Sequence, residues 1–196
     1  MTRYYFVRHG TTDWNKTGIY FGLRDCPLNV EGILESKKLG GLLSGIDFDE
    51  IYVSPMKRCT DTARLITGRK NLKTSGALLE MDFGLWEGMH FTECMEKFPE
   101  EFGNWSLDYR NYAPPGGEKY WDFYDRVRGF YDEVLTEEKK NVLIVTHKGV
   151  LQLLTSLLLT GEDTLFWNFS FQHGAYSVLL KDAGHTTIEK MNIREG

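Results

Sequence analysis

The chain has 196 residues, 41% of them hydrophobic and 26% charged, proportions that suit one globular domain and exclude a disordered or fibrous chain. Its 23 lysines and arginines against 28 aspartates and glutamates leave a net charge of −5, too mild and too mixed in sign for a polybasic binder of nucleic acid or membrane surfaces. Cys26, Cys59 and Cys94 form no C-x-x-C pair and are odd in number, which argues against a disulfide scaffold and a cysteine zinc site.

Tyr4 to Val7 is a continuous apolar, β-prone run and predicts a strand buried on both faces. Too little apolar sequence precedes Arg8 for a signal peptide, and Val150 to Leu159, carrying Gln152, Thr155 and Ser156, is half a bilayer crossing. A cytoplasmic chain is expected. Asn29 caps a helix reaching about Ser44, with Val30, Ile33, Leu34, Leu42 and Leu43 as its apolar side. Asp49 to Val53 reads as a second strand, and Ser54-Pro55 as the cap and first position of a helix that stops at Gly68. Leu72 to Leu79 predicts a short strand, followed by an irregular loop through Gly88.

Residues from about 89 to 117 read as an aromatic-rich insertion of short helices ending in the break Pro114-Pro115-Gly116-Gly117. Phe98, Phe102, Trp105, Tyr109, Tyr112 and Trp121 either form a lid over a ring-bearing substrate or pack the insertion onto the sheet. Glu118 to about Glu138 predicts a long helix with Trp121, Tyr124, Val127, Phe130, Tyr131 and Val134 inward. Val142 to Val145 is the strongest strand signal, running through His147-Lys148-Gly149 into a helix ending near Leu159. Ala175 to Leu180 and Thr186 to Ile193 are the last strands. Strands alternating with helices predict an α/β fold, a three-layer α/β/α sandwich with a mainly parallel central sheet and a small helical insertion, in a single domain over residues 1–196.

Ligands of open α/β sheets bind beyond the carboxyl ends of the strands. Arg8-His9 follows the first strand, Arg58 opens the helix after the second, and His147 follows the strand ending at Thr146. Two arginines and two histidines at one sheet end call for an anion, and phosphate suits two guanidinium forks best. Helix N-termini after Ser54 and near Gly149 would add N–H donors. His9 is the candidate nucleophile, kept neutral by the arginines, and His147 the donor to a transferring oxygen. Glu80, with Asp82 or Glu87 as substitutes, is the candidate acid and base, although cationic neighbours should lower its pKa. Thr11, Gly22 and Lys148 are further expected phosphate- or substrate-binding residues.

At these residues the chain resembles the histidine phosphatase superfamily, in the branch of cofactor-dependent phosphoglycerate mutases and small-molecule phosphatases. Arg8-His9-Gly10-Thr11-Thr12-Asp13-Trp14-Asn15 is similar to the family's opening signature, and Ser54-Pro55-Met56-Lys57-Arg58-Cys59-Thr60-Asp61-Thr62-Ala63 to its S-P-x-x-R-x-x-x-T-A segment. The resemblance implies a phosphorylated His9, phosphoryl contacts from Arg8, Arg58 and Asn15, His147 as second histidine and Glu80 as proton donor. Met81 stands where the mutases carry an arginine, and Lys148 where a small residue is usual. Leu85-Trp86-Glu87-Gly88 is phosphatase-like. Asp25-Cys26-Pro27-Leu28-Asn29 and Pro115-Gly116-Gly117-Glu118-Lys119-Tyr120 resemble the α-ribazole and broad-specificity phosphatase subgroups.

The expectation is therefore a phosphomonoesterase without metal or cofactor, acting on a small phosphorylated metabolite, α-ribazole 5′-phosphate among the candidates, as a monomer or homodimer. No nucleic-acid or membrane partner is expected. A phosphoglycerate mutase, a zinc hydrolase and a non-catalytic phosphate-binding module are the competing readings. The arginines oppose a bound cation, and H-E-x-x-H spacing is missing. His90, His173 and His185 are expected to be structural.

Overall fold

A computed structural model describes residues 1–136 and 139–195. The strands are β1 Thr2–Arg8, β2 Glu50–Val53, β3 Lys73–Thr74, β4 Asn141–Thr146, β5 Tyr176–Asp182 and β6 His185–Ile193. They form one sheet in the order β3-β2-β4-β1-β5-β6. β1, β4, β2 and β3 run parallel, while β5 is antiparallel to β1 and to β6. The mainly parallel α/β sheet is as expected.

The apolar runs of β1 and β4 are continuous because helices cover both of their faces. Phe6 and Ile144 meet α6 (Tyr120–Val134) and α7 (Lys148–Thr160) on one side. Val7 and Val145 meet α2 (Val30–Leu43) and α3 (Lys57–Thr67) on the other. Each of these four side chains is completely buried, contributing roughly 1.5–3 kcal/mol. Three short helices complete the chain: α1 Asp13–Thr17, and α4 Phe91–Lys97 and α5 Pro99–Leu107 within the insertion. No described helix is long and apolar enough to cross a membrane.

Four local expectations are corrected. The inward face of α2 is Gly32, Ser36, Leu39 and Leu43, and Val30 and Leu34 are 76% and 55% exposed. The small residues face in because the chain after β1 lies against the helix, where a Cβ on Gly32 would come within 2.1 Å of the Thr11 carbonyl oxygen. α3 starts two residues later than expected, with Met56 rather than Ser54 at the N-cap, and Ser54 serves elsewhere. The strand expected over Leu72 to Leu79 shrinks to β3, followed by a 3₁₀ turn over Gly76–Leu78 capped by the Ser75 hydroxyl. α6 buries Tyr120, Phe123, Val127 and Phe130 and leaves Trp121 46% exposed, and it ends at Val134. The expected end at Glu138 lies outside the described residues.

Candidate active site

The adjacent strands β2, β4 and β1 bring three chain segments to one sheet end. Arg8 ends β1, Arg58 lies in the first turn of α3 after β2, and His147 caps α7 after β4. The His9 amide donates to the Thr146 carbonyl at 2.9 Å, extending the ladder by one residue and placing the His9 and His147 rings 5.3 Å apart.

His9 Nδ1 lies 2.9 Å from the Gly10 carbonyl oxygen. A carbonyl only accepts, so the proton sits on Nδ1 and the Nε2 lone pair is left available. Burial, followed by His147, Arg8 and Arg58, holds the His9 pKa well below the usual imidazole range, so the ring is neutral. His147 is held down likewise, by burial and then by Arg58 and Arg8. Arg58 Nη2 is 3.4 Å from His147 Nδ1, and Ser54 Oγ is 2.8 Å from Nε2. Because a guanidinium only donates, Nδ1 accepts and Nε2–H donates to Ser54. This bond is what Ser54 makes in place of a helix cap.

Arg58 is completely buried. Its Nη1 donates to the Arg24 carbonyl at 3.0 Å and to Asp25 at 3.2 Å, and its Nη2 to the Gly22 carbonyl at 2.6 Å. Arg8 Nη1 donates to the Phe171 carbonyl at 3.2 Å, and burial pulls Arg8 down to about 10, leaving it cationic at neutral pH. Among the described residues, Arg8 Nε and Arg58 Nε are buried with no partner. An unmatched buried donor costs about 1–3 kcal/mol, and an anion bound between the two Nε–H groups would offset that.

Glu80 accepts the Met81 and Gly149 amides, each at 3.2 Å. Its pKa is raised, because burial outweighs the lowering pull of those amides and of Arg8 and Arg126. The cations do pull it down as expected, but burial decides the direction. Glu87 cannot substitute for it: its carboxylate accepts the amides of Gly22, Leu23, Phe83 and Arg24 at 2.7, 3.0, 3.2 and 2.9 Å. Asp82 accepts the Gly84 amide at 2.8 Å.

The remaining expected binding residues divide. Asn15 and Lys148 line the cavity described below, and Asn15 Oδ1 is spent on Thr12 in the cap of α1. Thr11 is committed elsewhere, its amide and hydroxyl both donating to Glu35 at 2.9 and 3.0 Å. Gly22 gives its amide to Glu87 and its carbonyl to Arg58, so it holds the arginine rather than offering a donor. A Cβ there would sit 1.8 Å from the Met81 carbonyl oxygen. Both expected helix N-termini also serve carboxylates, the Lys57 amide donating to Asp25 at 2.6 Å and the Gly149 amide to Glu80.

His173, expected to be structural, stands beside the centre. Its ring is 5.2 Å from that of His9, and its Nδ1–H donates to the His9 carbonyl at 2.6 Å. Burial, then Arg8, pulls its pKa down to about 4. Its place just before β5 is the signal available in the sequence, since the start of an antiparallel neighbour meets the end of β1.

A cavity of ≈ 430 Å³ opens from Arg8 and Glu80 outward, with Asn15 and Lys148 on its lining. Its other walls are mostly aromatic, among them Phe21, Phe83, Trp105, Tyr109, Tyr120 and Trp167. Phe21 links cavity and centre, with its ring 6.3 Å from that of His9 and 4.9 Å from the Arg58 guanidinium carbon. Of the insertion's aromatic residues, Trp105 and Tyr109 wall the cavity, and Phe102 packs 5.3 Å from the buried Trp86.

The model of the histidine phosphatase superfamily (branch 1) matches residues 4–194. Phosphoserine phosphatase 1 of Hydrogenobacter thermophilus is 35% identical over 196 residues, covering 98% of this chain and 93% of its own. The adenosylcobalamin/alpha-ribazole phosphatase of Salmonella typhimurium is 34% identical over 195 residues, covering 98% and 96%. The solved alpha-ribazole phosphatase of Shigella flexneri superposes with a TM-score of 0.89 at 31% identity, over 98% of this chain and 96% of that one.

Proposed function

The chain belongs to the histidine phosphatase superfamily, branch 1, and from that premise we propose that it hydrolyses a ring-bearing phosphomonoester through a phosphohistidine on His9. The observation that carries the reading is the state of His9: buried, neutral, with Nδ1–H fixed on Gly10 and the Nε2 lone pair free beside two arginines. Nε2 attacks phosphorus and the ester P–O bond breaks. Arg8 and the free Nε–H of Arg58 hold the non-bridging oxygens, with Asn15 at the cavity side, while His147, its Nε2–H given to Ser54 and its Nδ1 accepting from Arg58, fixes Arg58 instead of donating to the phosphoryl group. Glu80, whose pKa burial raises toward the protonated form, gives its proton to the leaving oxygen. Its carboxylate then takes a proton from water, which attacks phosphorus, breaks the P–N bond and restores His9.

The aromatic walls support a flat ring on the leaving group, as α-ribazole 5′-phosphate carries. The apolar Met81 after Glu80 gives no second fork for a phosphoglycerate carboxylate, which disfavours the mutase reading. Lys148 on the same lining favours one second reading, a phosphoserine-like substrate whose carboxylate it would pair. Phosphate release should be measured on α-ribazole 5′-phosphate, phosphoserine and 3-phosphoglycerate, with the parent chain and with His9→Ala. We expect no turnover by His9→Ala, and kcat/KM at least about tenfold higher on the riboside phosphate, the worth of one or two stacking contacts. Preference for phosphoserine would favour the second reading, and unreduced activity in His9→Ala would remove the mechanism.

A further inference from the structure

Glu80 sits on a segment with little regular structure of its own, running from the 3₁₀ turn over Gly76–Leu78 to the next turn at Gly84–Trp86. Backbone carbonyls in such a segment lack sheet or helix partners and must be satisfied some other way. Arg126, on α6 and away from the cavity lining, satisfies three of the carbonyls at the segment's start. Its Nη1 donates to the carbonyls of Ala77 at 3.0 Å and Leu79 at 2.7 Å, and its Nη2 to that of Glu80 itself at 3.1 Å. The remaining donors go to one carboxylate, Nε to Glu118 Oε1 at 2.7 Å and Nη2 to Oε2 at 2.8 Å. All five N–H bonds of the guanidinium are thus used. Its carbon lies 4.9 Å over the ring of Phe123, which walls the cavity.

Glu118 closes the arrangement from the other side. Its amide donates to the Asp82 carbonyl at 2.9 Å, and its carboxylate accepts the Asp82 amide at 3.4 Å. The residues on both sides of Glu80 are therefore clamped by one ion pair. Lysine could not replace Arg126, because a compact ammonium with three donors cannot span three carbonyls and a bidentate carboxylate in one plane.

We propose that Arg126, oriented by Glu118, is the positioning residue for the proton donor Glu80, so that the pair sets how well the enzyme expels poor leaving groups. The proposal rests on the phosphohistidine reading and on Glu80 as its acid. A good leaving group departs without a proton, so misplacing Glu80 should penalise alkyl phosphates and spare an aryl phosphate. A general defect of folding or phosphate binding would penalise both alike.

The test uses the full chain with Arg126→Lys, Arg126→Gln and Glu118→Gln, each checked by thermal melting. kcat/KM is measured on an alkyl phosphate and on 4-nitrophenyl phosphate, with Glu80→Gln as reference. The expected loss on the alkyl phosphate is about tenfold to a hundredfold, part of the 10²–10⁴ that general acid catalysis supplies, against less than about threefold on the aryl phosphate. Adding Arg126→Gln to Glu80→Gln should cost little more on either substrate. Equal losses on both substrates, full activity in Arg126→Lys, or failure of all three variants to fold would overturn the proposal. A parent chain that releases no phosphate, or a fully active His9→Ala, would instead show that the phosphatase reading had failed.

Discussion

His9, His147 and His173 are imidazoles kept neutral by burial and by neighbouring arginines, and that state has a cost that depends on pH. An imidazole in the unfolded chain titrates near 6.5, so below that pH the unfolded state binds protons that the folded state refuses. The stability associated with a depressed histidine is complete above about 6.5 and is lost as pH falls toward the folded pKa. For His173, held at about 4, the loss over that interval is about 3 kcal/mol. Urea unfolding of the parent should therefore show stability declining from pH 6.5 to 4. In His173→Asn, whose amide can still donate to the His9 carbonyl, the decline should be shallower by about that amount; an unchanged slope would mean that His173 is already solvated in the folded chain.

Arg58 is held by an element as much as by its own helix. The carbonyls of Gly22 and Arg24 fix its fork, and the amides of Gly22, Leu23 and Arg24 converge on Glu87. Replacing that acceptor should loosen the whole turn: Glu87→Gln should lower stability by about 1.5–3 kcal/mol in urea unfolding. It should also weaken competitive inhibition by inorganic phosphate about tenfold, whereas unchanged inhibition would mean that Arg58 keeps its place without the turn. Such linkages explain what the sequence could not disclose. The runs of β1 and β4 were legible because a strand covered on both faces must be apolar throughout. Ser54-Pro55 has the composition of a helix start, but Ser54 is claimed by His147 from 93 positions away. In α2 the apolar residues suggested the wrong face, since the close approach of Thr11 demands Gly32 there and Gly10 lies against Ser36. Pattern reads local preference, and these residues answer to distant partners.

At the scale of the molecule, the net charge of −5 conceals the buried Arg58 and the half-buried Arg8, whose Nε donors have no partner among the described residues. The sheet order explains how this centre was legible from a linear sequence: β2, β4 and β1 are neighbours, so three motifs far apart in the chain end at one edge. Arg126 was not legible, because its role comes from a helix that reaches the Glu80 segment from the side, and His173 was marked only by its place before β5. The phosphohistidine on His9 remains the claim on which the rest depends. Its most direct test is rapid alkaline quenching during turnover, which preserves phosphohistidine, followed by mass spectrometry of the peptide that contains His9. The account predicts one added phosphoryl group on His9, with none in His9→Ala; a phosphoryl group on another residue, or turnover surviving in His9→Ala, would contradict it.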